Sequence, residues 1–382
     1  MDSLRRKIER VMVADGPFGR LSLASGLAVV ARIYAAAVTL RAGAYRSGRL
    51  TSRKLPCKVI SVGNMTTGGT GKTPMTLYLA ERLHRSGWRA AVVSRGYKGG
   101  LEKSGGIVSD GRQVVTTPAA AGDEPFLMAS RLLNVAVPVV VGRNRYEAAM
   151  LAVRHFAPDI VILDDGFQHL QLARDINLVL LDARRPFGNM HLLPRGILRE
   201  PVSALSRGDI FILTRTAEKD KRTAVDHLRH IVGERPVYAA AHKPFLSKWV
   251  PAVSHYRQEP TDARTAAGLR SLRGKRVFGF AGIAGNDGFK ETLTTLGCDL
   301  AGFAGFADHH RYSSADLAAL LQAAGQSGAD LICTTEKDYI RFAEHLSWPV
   351  DLVVVGIQMS LGGCQSAFEA DLVSRLGSGG GG

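Results

Sequence analysis

The sequence predicts an α/β protein: a parallel sheet covered by helices on both faces, followed by a second, smaller α/β unit. Three observations carry that prediction. Six short apolar runs recur between residues 58 and 214: "KVISV" (58–62), "AAVVS" (90–94), "VPVVV" (137–141), "DIVILD" (159–164), "INLVLL" (176–181) and "DIFILT" (209–214). Each is continuous rather than alternating, as strands buried on both faces are. Helix candidates at 74–86, 124–133, 145–156 and 219–232 fall between them, and strand–helix alternation builds parallel sheets. A glycine-rich turn, "TTGGTGKT" (66–73), joins the first run to the first helix.

The chain has 382 residues, enough for two domains at roughly 150 residues each. It is 46% hydrophobic, which supplies a core and excludes global disorder. Lys and Arg outnumber Asp and Glu by 49 to 34, a formal charge of +15. Such a surplus points to an anionic partner (nucleic acid, a membrane surface or a phosphorylated substrate), with a merely solvated surface as the plain alternative. Cys57, Cys298, Cys333 and Cys364 are scattered with no C-x-x-C pair. Neither a zinc site nor a disulfide framework is indicated.

The first segment, 1–54, reads as membrane-associating. Within it "LSLASGLAVVARIYAAAVTL" (21–40) is long enough to span a bilayer. Arg32 near its centre costs about 2.5–3.5 kcal/mol on insertion scales, and Ser22, Ser25 and Gly26 weaken the run further. Arg5, Arg6, Lys7, Arg10 and Arg20 precede it; Arg41, Arg46, Arg49, Arg53 and Lys54 follow. That is the pattern of an interfacial helix on anionic lipid. A secretory signal fits poorly, because Asp2, Glu9 and Asp15 stand in what would be its basic region. An ordinary buried helix is the other reading.

The second segment, 55–242, carries the phosphate chemistry. In "KVISVGNMTTGGTGKTPMTLYLAERLHRSG" a strand, a glycine loop and a helix follow one another, the context a phosphate-binding loop requires. The loop pattern asks for a glycine at 66, where this chain has Thr; Gly63 and the extra pair Gly68–Gly69 partly compensate. Gly68, Gly69 and Gly71 can turn backbone N–H groups toward an anion, and the helix N-terminus points its partial positive charge at the same place. Lys72 would reach the phosphates and Thr73 would hold Mg²⁺. "DIVILDDGFQH" ends a buried strand in Asp164 and Asp165, where a Walker B carboxylate binds Mg²⁺. "SRGY" (94–97) occupies the same sheet edge. "GDEP" (122–125) puts Asp123 and Glu124 before a helix, which on its own reads as an N-cap. "LPRGILREP" (193–201) offers Arg195, Arg199 and Glu200 for phosphate and metal contact.

The polar, proline-containing stretch 243–274 reads as a linker. A C-terminal α/β domain follows at 275–376, with runs at 276–283, 330–335 and 351–357 and helices near 289–297 and 314–324. "DHHRY" (308–312) offers a histidine beside an aspartate, a base with an orienting partner or a solvated loop. "TTEKD" (334–338) has the residue types of a guanine-reading motif in the wrong places. Residues 377–382, "GSGGGG" with its leading glycine at 377, read as a flexible tail.

Taken in order, "VISVGNMTTGGTGKTP", "SRGY", "GDEP", "ILDDGFQH", "LLPRGILREP", "DHHRY" and "TTEKD" resemble the tetraacyldisaccharide 4′-kinase family of lipid A biosynthesis. The matching blocks span roughly residues 15–340, and "VGNxxxGGTGKTP" followed by "DDGFQH" is far more specific than the loop alone. The resemblance implies a P-loop NTPase-like fold and an ATP- and Mg²⁺-dependent kinase. Its acceptor would be the 4′-hydroxyl of a tetraacyldisaccharide 1-phosphate, an anionic lipid. It would work at the cytoplasmic face of the bacterial inner membrane, held there by the N-terminal helix.

The resemblance also implies roles. Thr67, Gly68, Gly69, Thr70, Gly71, Lys72 and Thr73 would cradle ATP. Thr73, Asp164, Asp165 and Glu200 would surround the metal, with Glu124 as a further ligand. Asp123 would deprotonate the sugar hydroxyl. His309, which follows Asp308 directly, would pair with Asp123 when the second domain closes; His310 is the alternative. Arg199 would stabilise developing charge. The rival reading is a P-loop ATPase acting on a protein or metal partner, disfavoured by Thr67 where such loops often carry lysine. A nucleic-acid partner is not expected, since the chain has no aromatic–basic stripe, and no obligate protein partner is evident.

Overall fold

The computed structural model describes residues 2–14, 22–216, 221–252, 266–283, 285–342 and 348–377. Two helices open the chain, α1 (Asp2–Val13) and α2 (Leu23–Arg46). The P-loop unit follows. Its strands are β1 (Lys58–Asn64), β2 (Ala90–Ser94), β3 (Gly106–Ser109), β4 (Val139–Val141), β5 (Ile160–Asp164), β6 (Ile176–Asp182) and β7 (Ile210–Thr214). Its helices are α3 (Lys72–Arg85), α4 (Pro118–Ala121), α5 (Asp123–Leu132), α6 (Arg145–Phe156) and α7 (Lys221–Val232). All of these strands pair in parallel except β3, which runs antiparallel along the β4 edge. The central strands are fully buried along their length, as their unbroken apolar runs require.

The next strand, β8 (Val237–Val250), joins the two halves of the molecule. Val237–Ala240 pair in parallel with β7. Ala241–Val250 run on past the end of β7 and pair antiparallel with β12 (Asp351–Ser360). The residues expected to begin a linker at 243 are therefore strand. Residues 253–265 of that expected linker, and 378–382 of the expected tail, lie outside the described residues. The C-terminal unit adds α8 (Ala266–Arg270), β9 (Arg276–Ala281), α9 (Asn286–Thr295), β10 (Asp299–Gly305), α10 (Ser314–Ser327), β11 (Leu331–Thr335) and α11 (Glu336–Phe342). After β12 comes α12 (Gln365–Leu376). Among the described residues the strands form one twelve-stranded sheet, β10-β9-β11-β12-β8-β7-β6-β1-β5-β2-β4-β3.

This topology sets the site. Ligands of open α/β sheets bind beyond the carboxyl ends of the strands. Past β7, the second half of β8 extends roughly 30 Å at about 3.3 Å per residue. β12 is antiparallel to it and runs back toward the P-loop unit, with β9, β10 and β11 parallel to β12. The carboxyl edges of the two units consequently face each other.

Each unit has its own apolar core, the P-loop unit around Ile60, Leu79 and Val92, the C-terminal unit around Phe280, Leu293 and Val353. The chain's end returns to the first unit. Phe368, Leu372 and Leu376 of α12 belong to its core, and Glu369 accepts from the Tyr78 hydroxyl (3.0 Å) and pairs with Arg82 (3.2 Å). The C-terminal domain expected at 275–376 thus includes a helix that packs on the other unit, because α12 covers α3.

Candidate active site

Three groups meet where the edges face each other. The first is the phosphate loop. Asn64 ends β1 and donates to the Thr66 carbonyl (2.7 Å) and the Thr70 hydroxyl (3.0 Å), while Thr214 of β7 donates to the Thr70 carbonyl (3.0 Å). The loop is thus tied on both sides. Gly71 caps α3 at φ 90°, a left-handed conformation that a side chain would resist. A Cβ there would also meet His242 Nε2 at 2.3 Å. His242 is mostly buried, and among the described residues its Nε2 has no hydrogen-bond partner. Burial, with Arg215 nearby, pushes its pKa down to about 4, so the ring is neutral.

Two loop expectations change on inspection. The Thr67 N–H is spent on the Ile197 carbonyl (2.8 Å), part of a strap in which Arg199 N–H also donates to Met65 (2.8 Å), so Thr67 faces the strap rather than phosphate. Gly63 lies inside β1 against Phe167, where a Cβ would sit 2.5 Å from that ring's own Cβ; its smallness serves packing and does not replace the loop's missing glycine.

The second group is acidic. Lys72 Nζ lies 3.7 Å from Asp165, and Arg199 Nη1 bonds both Asp165 oxygens at 2.9 Å. Burial works against ionisation of Asp165, but Lys72 and Arg199 outweigh it and hold the carboxyl below its usual range. Asp164 is buried and accepts from Ser94 (3.0 Å) and Thr76 (3.3 Å). Burial, then the negative charges of Glu124 and Asp165, push it up to about 6. Asp164 and Asp165 are hard oxygen donors of the kind Mg²⁺ takes, crowded beside Lys72, and their mutual repulsion is what a divalent cation would relieve. Among the described residues no three acidic or histidine side chains converge on one point, so phosphate oxygens and water would complete the shell. Glu200 is committed elsewhere: it is buried and ion-paired with Arg207, whose guanidinium stacks 4.5 Å over Phe167. Its neighbour Arg199 faces the loop and Glu200 faces away.

The third group spans the two units. Asp123 and Glu124 open α5, presented by Gly122 at φ 87°, where a Cβ would press on the Tyr97 carbonyl at 2.8 Å. His309, after β10, binds Asp123 Oδ2 through Nδ1 at 3.0 Å. His310 instead binds Asp316 at 3.1 Å, so the alternative pairing is not made. Lys337 of α11 is ion-paired with Glu124, and its charge is the main cause that lowers the Glu124 pKa; Lys72 adds to it. Arg341, also on α11, donates to Asp123 Oδ2 at 2.8 Å. Burial opposes ionisation of Asp123, but the His309 hydrogen bond and the Arg341 charge outweigh it.

Sequence reasoning missed Lys337 and Arg341. The "TTEKD" block was the only signal; the motif it imitates does not apply, but its lysine reaches the site.

Beside this constellation a cleft of about 900 Å³ opens between α2 and the sheet edge. Asp165 lies in its lining with Arg41, Arg95, Lys103, Arg143, Arg145 and Arg199. Tyr34 of α2 closes it by donating to the Arg199 carbonyl (2.9 Å), and Arg41 donates to the Gln168 carbonyl (3.2 Å). Away from the cleft α2 leaves Val29, Ile33 and Leu40 exposed, with Ile33 at 67% and Leu40 at 73%. By length and composition it could cross a membrane; only 11% of its apolar window is buried in the protein.

The fold and this site define a P-loop enzyme with a carboxylate–imidazole pair where its two units meet. A sequence profile of the tetraacyldisaccharide-1-P 4′-kinase family matches residues 23–377. A tetraacyldisaccharide 4′-kinase from Desulfatibacillum aliphaticivorans is 40% identical over 98% of this chain and 99% of its own. One from Geobacter sulfurreducens is 43% identical over 85% and 86%. The crystal structure of LpxK from Aquifex aeolicus in complex with ATP superposes with a TM-score of 0.69 at 29% identity, covering 93% of this chain and 99% of that one. The chain belongs to the tetraacyldisaccharide 4′-kinase family.

Proposed function

We propose that the facing edges transfer the γ-phosphoryl group of ATP to the 4′-hydroxyl of a tetraacyldisaccharide 1-phosphate, at the cytoplasmic face of the inner membrane. The observation that carries this reading is that Glu124 stands within electrostatic reach of Lys72 and Asp165, which pair at 3.7 Å, while its neighbour Asp123 holds His309 at 3.0 Å. Gly68–Thr73 receive the phosphates through backbone N–H groups and the α3 N-terminus, with Lys72 on the β- and γ-oxygens. Thr73, Asp164, Asp165 and Glu124 would hold Mg²⁺; when bound, the ion neutralises charge on the phosphate oxygens. Asp123 accepts the proton of the acceptor hydroxyl as the hydroxyl oxygen bonds the γ-phosphorus, whose bond to the β–γ bridging oxygen breaks to release ADP. His309 holds that carboxylate and shares the proton charge. Arg199 stands by Asp165, where charge on the transferring group would gather.

The basic cleft is the acceptor's place. Six cationic side chains against one carboxylate suit an anionic lipid headgroup. The exposed apolar face of α2 lets acyl chains stay in the membrane while the headgroup turns inward. The test is ³²P transfer from γ-labelled ATP to detergent-dispersed tetraacyldisaccharide 1-phosphate, read by thin-layer chromatography. Labelled lipid is expected; release of free phosphate without labelled lipid would turn the reading toward an ATPase that handles another partner. A chain lacking residues 1–40 is expected to leave the membrane fraction. If it still sediments with anionic vesicles, the anchor lies elsewhere.

A further inference from the structure

We propose that Arg341 is the positioning residue for the base: it clamps Oδ2 of Asp123 together with His309 and thereby turns Oδ1 toward the acceptor hydroxyl. The proposal rests on the reading of Asp123 as the base. Its evidence is separate from that reading.

The Arg341 side chain is 5% exposed, and its guanidinium nitrogens reach four segments of the chain. Nε donates to Asp123 Oδ2 at 2.8 Å, on α5 of the P-loop unit. Nη1 donates to the Gly282 carbonyl at 2.8 Å, just past β9, and to Asp338 Oδ1 at 2.9 Å, on its own helix. Nη2 lies 3.4 Å from His309 Nδ1. The anchor Asp338 is fully buried and fixed in turn by the Gly282 N–H (3.0 Å), the Tyr312 hydroxyl (3.0 Å) and the Thr335 hydroxyl (2.7 Å).

The Gly282 carbonyl also accepts the backbone N–H of His309 at 3.1 Å. One carbonyl therefore registers both partners of Asp123 against each other. Both bonds to Asp123 fall on Oδ2, the side facing the C-terminal unit. A carboxylate held twice on one oxygen presents the other in a fixed direction, which is what proton abstraction from a positioned hydroxyl needs. Only a planar fork serves several acceptors at once; a lysine ammonium would reach one or two without fixing the plane. A plain inter-unit ion pair would share the burial but would have no reason to act through Asp123.

The test is a double-mutant cycle in the full chain with Arg341→Gln and Asp123→Asn, reading kcat and both KM values. Arg341→Gln is expected to lower kcat roughly 10²-fold, the scale of a misoriented catalytic group, with the KM for ATP unchanged. In the Asp123→Asn background the same change is expected to cost nothing further. Equal losses in both backgrounds would overturn the proposal and leave Arg341 a structural pair. Arg341→Lys guards against a folding failure: it keeps the charge, so it is expected to fold with intact ATP affinity while recovering only part of the lost kcat. Full recovery by lysine would show that charge alone suffices and would refute the positioning role. Failure of the underlying reading looks different: Asp123→Asn alone would turn over at the wild-type rate.

Discussion

The two carboxyl edges that meet at the site are built in opposite ways. The P-loop edge is local. Lys72 and Thr73 follow their glycines directly, Asp164 ends the strand that pairs with β1, and Asp165 follows it. The C-terminal edge is assembled at a distance: His309 and Arg341 reach Asp123 across 186 and 218 residues of chain, and Lys337 reaches Glu124 across 213. On the proposed reading, the first edge would grip phosphates through its local backbone geometry, and the second would contribute side chains that orient a base. That division would give nucleotide binding to one edge and acceptor activation to the joint between them.

The largest expected effect breaks the local edge. Lys72→Ala is expected to lower kcat at least ~10³-fold, because phosphoryl transfer depends on positioning and charge neutralisation at the γ-phosphate. The melting temperature should stay close to wild type, which a thermal scan alongside the transfer assay checks.

A middle-sized effect loosens the joint. Arg131 of α5 donates to the Ile357 carbonyl (3.1 Å), lies 3.6 Å from Glu336 and stacks 4.6 Å over Phe245. Glu336 is buried and Arg131 largely so, and Arg131→Met removes the cation beside a buried carboxylate that Ser247 also holds (2.6 Å). A cost of about 2–3 kcal/mol in urea denaturation is expected, with ATP binding to the P-loop edge intact.

The smallest effect concerns pH. His242 lies in β8, between the two edges, with a pKa near 4 instead of its ordinary 6.5. Between those values the unfolded chain takes up a proton that the folded chain refuses. Stability is therefore full above pH 6.5 and falls as pH drops toward 4, by on the order of 2 kcal/mol at pH 5 from this group. His242→Gln should flatten the decline in melting temperature between pH 7.5 and 5. An unchanged slope would assign the loss to His169, which burial also pushes down to about 4.

Legibility in the sequence follows the same division. The six central strands, the loop, "DDGF" and "GDEP" could be read because buried parallel strands and helix starts leave local patterns. β8 could not, since its burial follows no regular period and it includes Pro244, which argues against a strand. β10 carries two glycines and is only half-buried at the sheet edge, so its propensity is weak. α11 is too short at seven residues to show a period, and with it Arg341 stayed hidden. Glu200 was legible only as a carboxylate in the right block; its pairing with Arg207 depends on a turn whose direction no local rule supplies.

The central claim is that the acceptor is activated only where the two edges meet. The most direct measurement is kcat for ³²P transfer to tetraacyldisaccharide 1-phosphate by His309→Ala, with ATP affinity measured by calorimetry on the same sample. The account predicts a loss of roughly 10²–10⁴-fold in kcat with ATP affinity unchanged. Transfer at the wild-type rate, or a loss that disappears when ATP is raised to saturation, would contradict it.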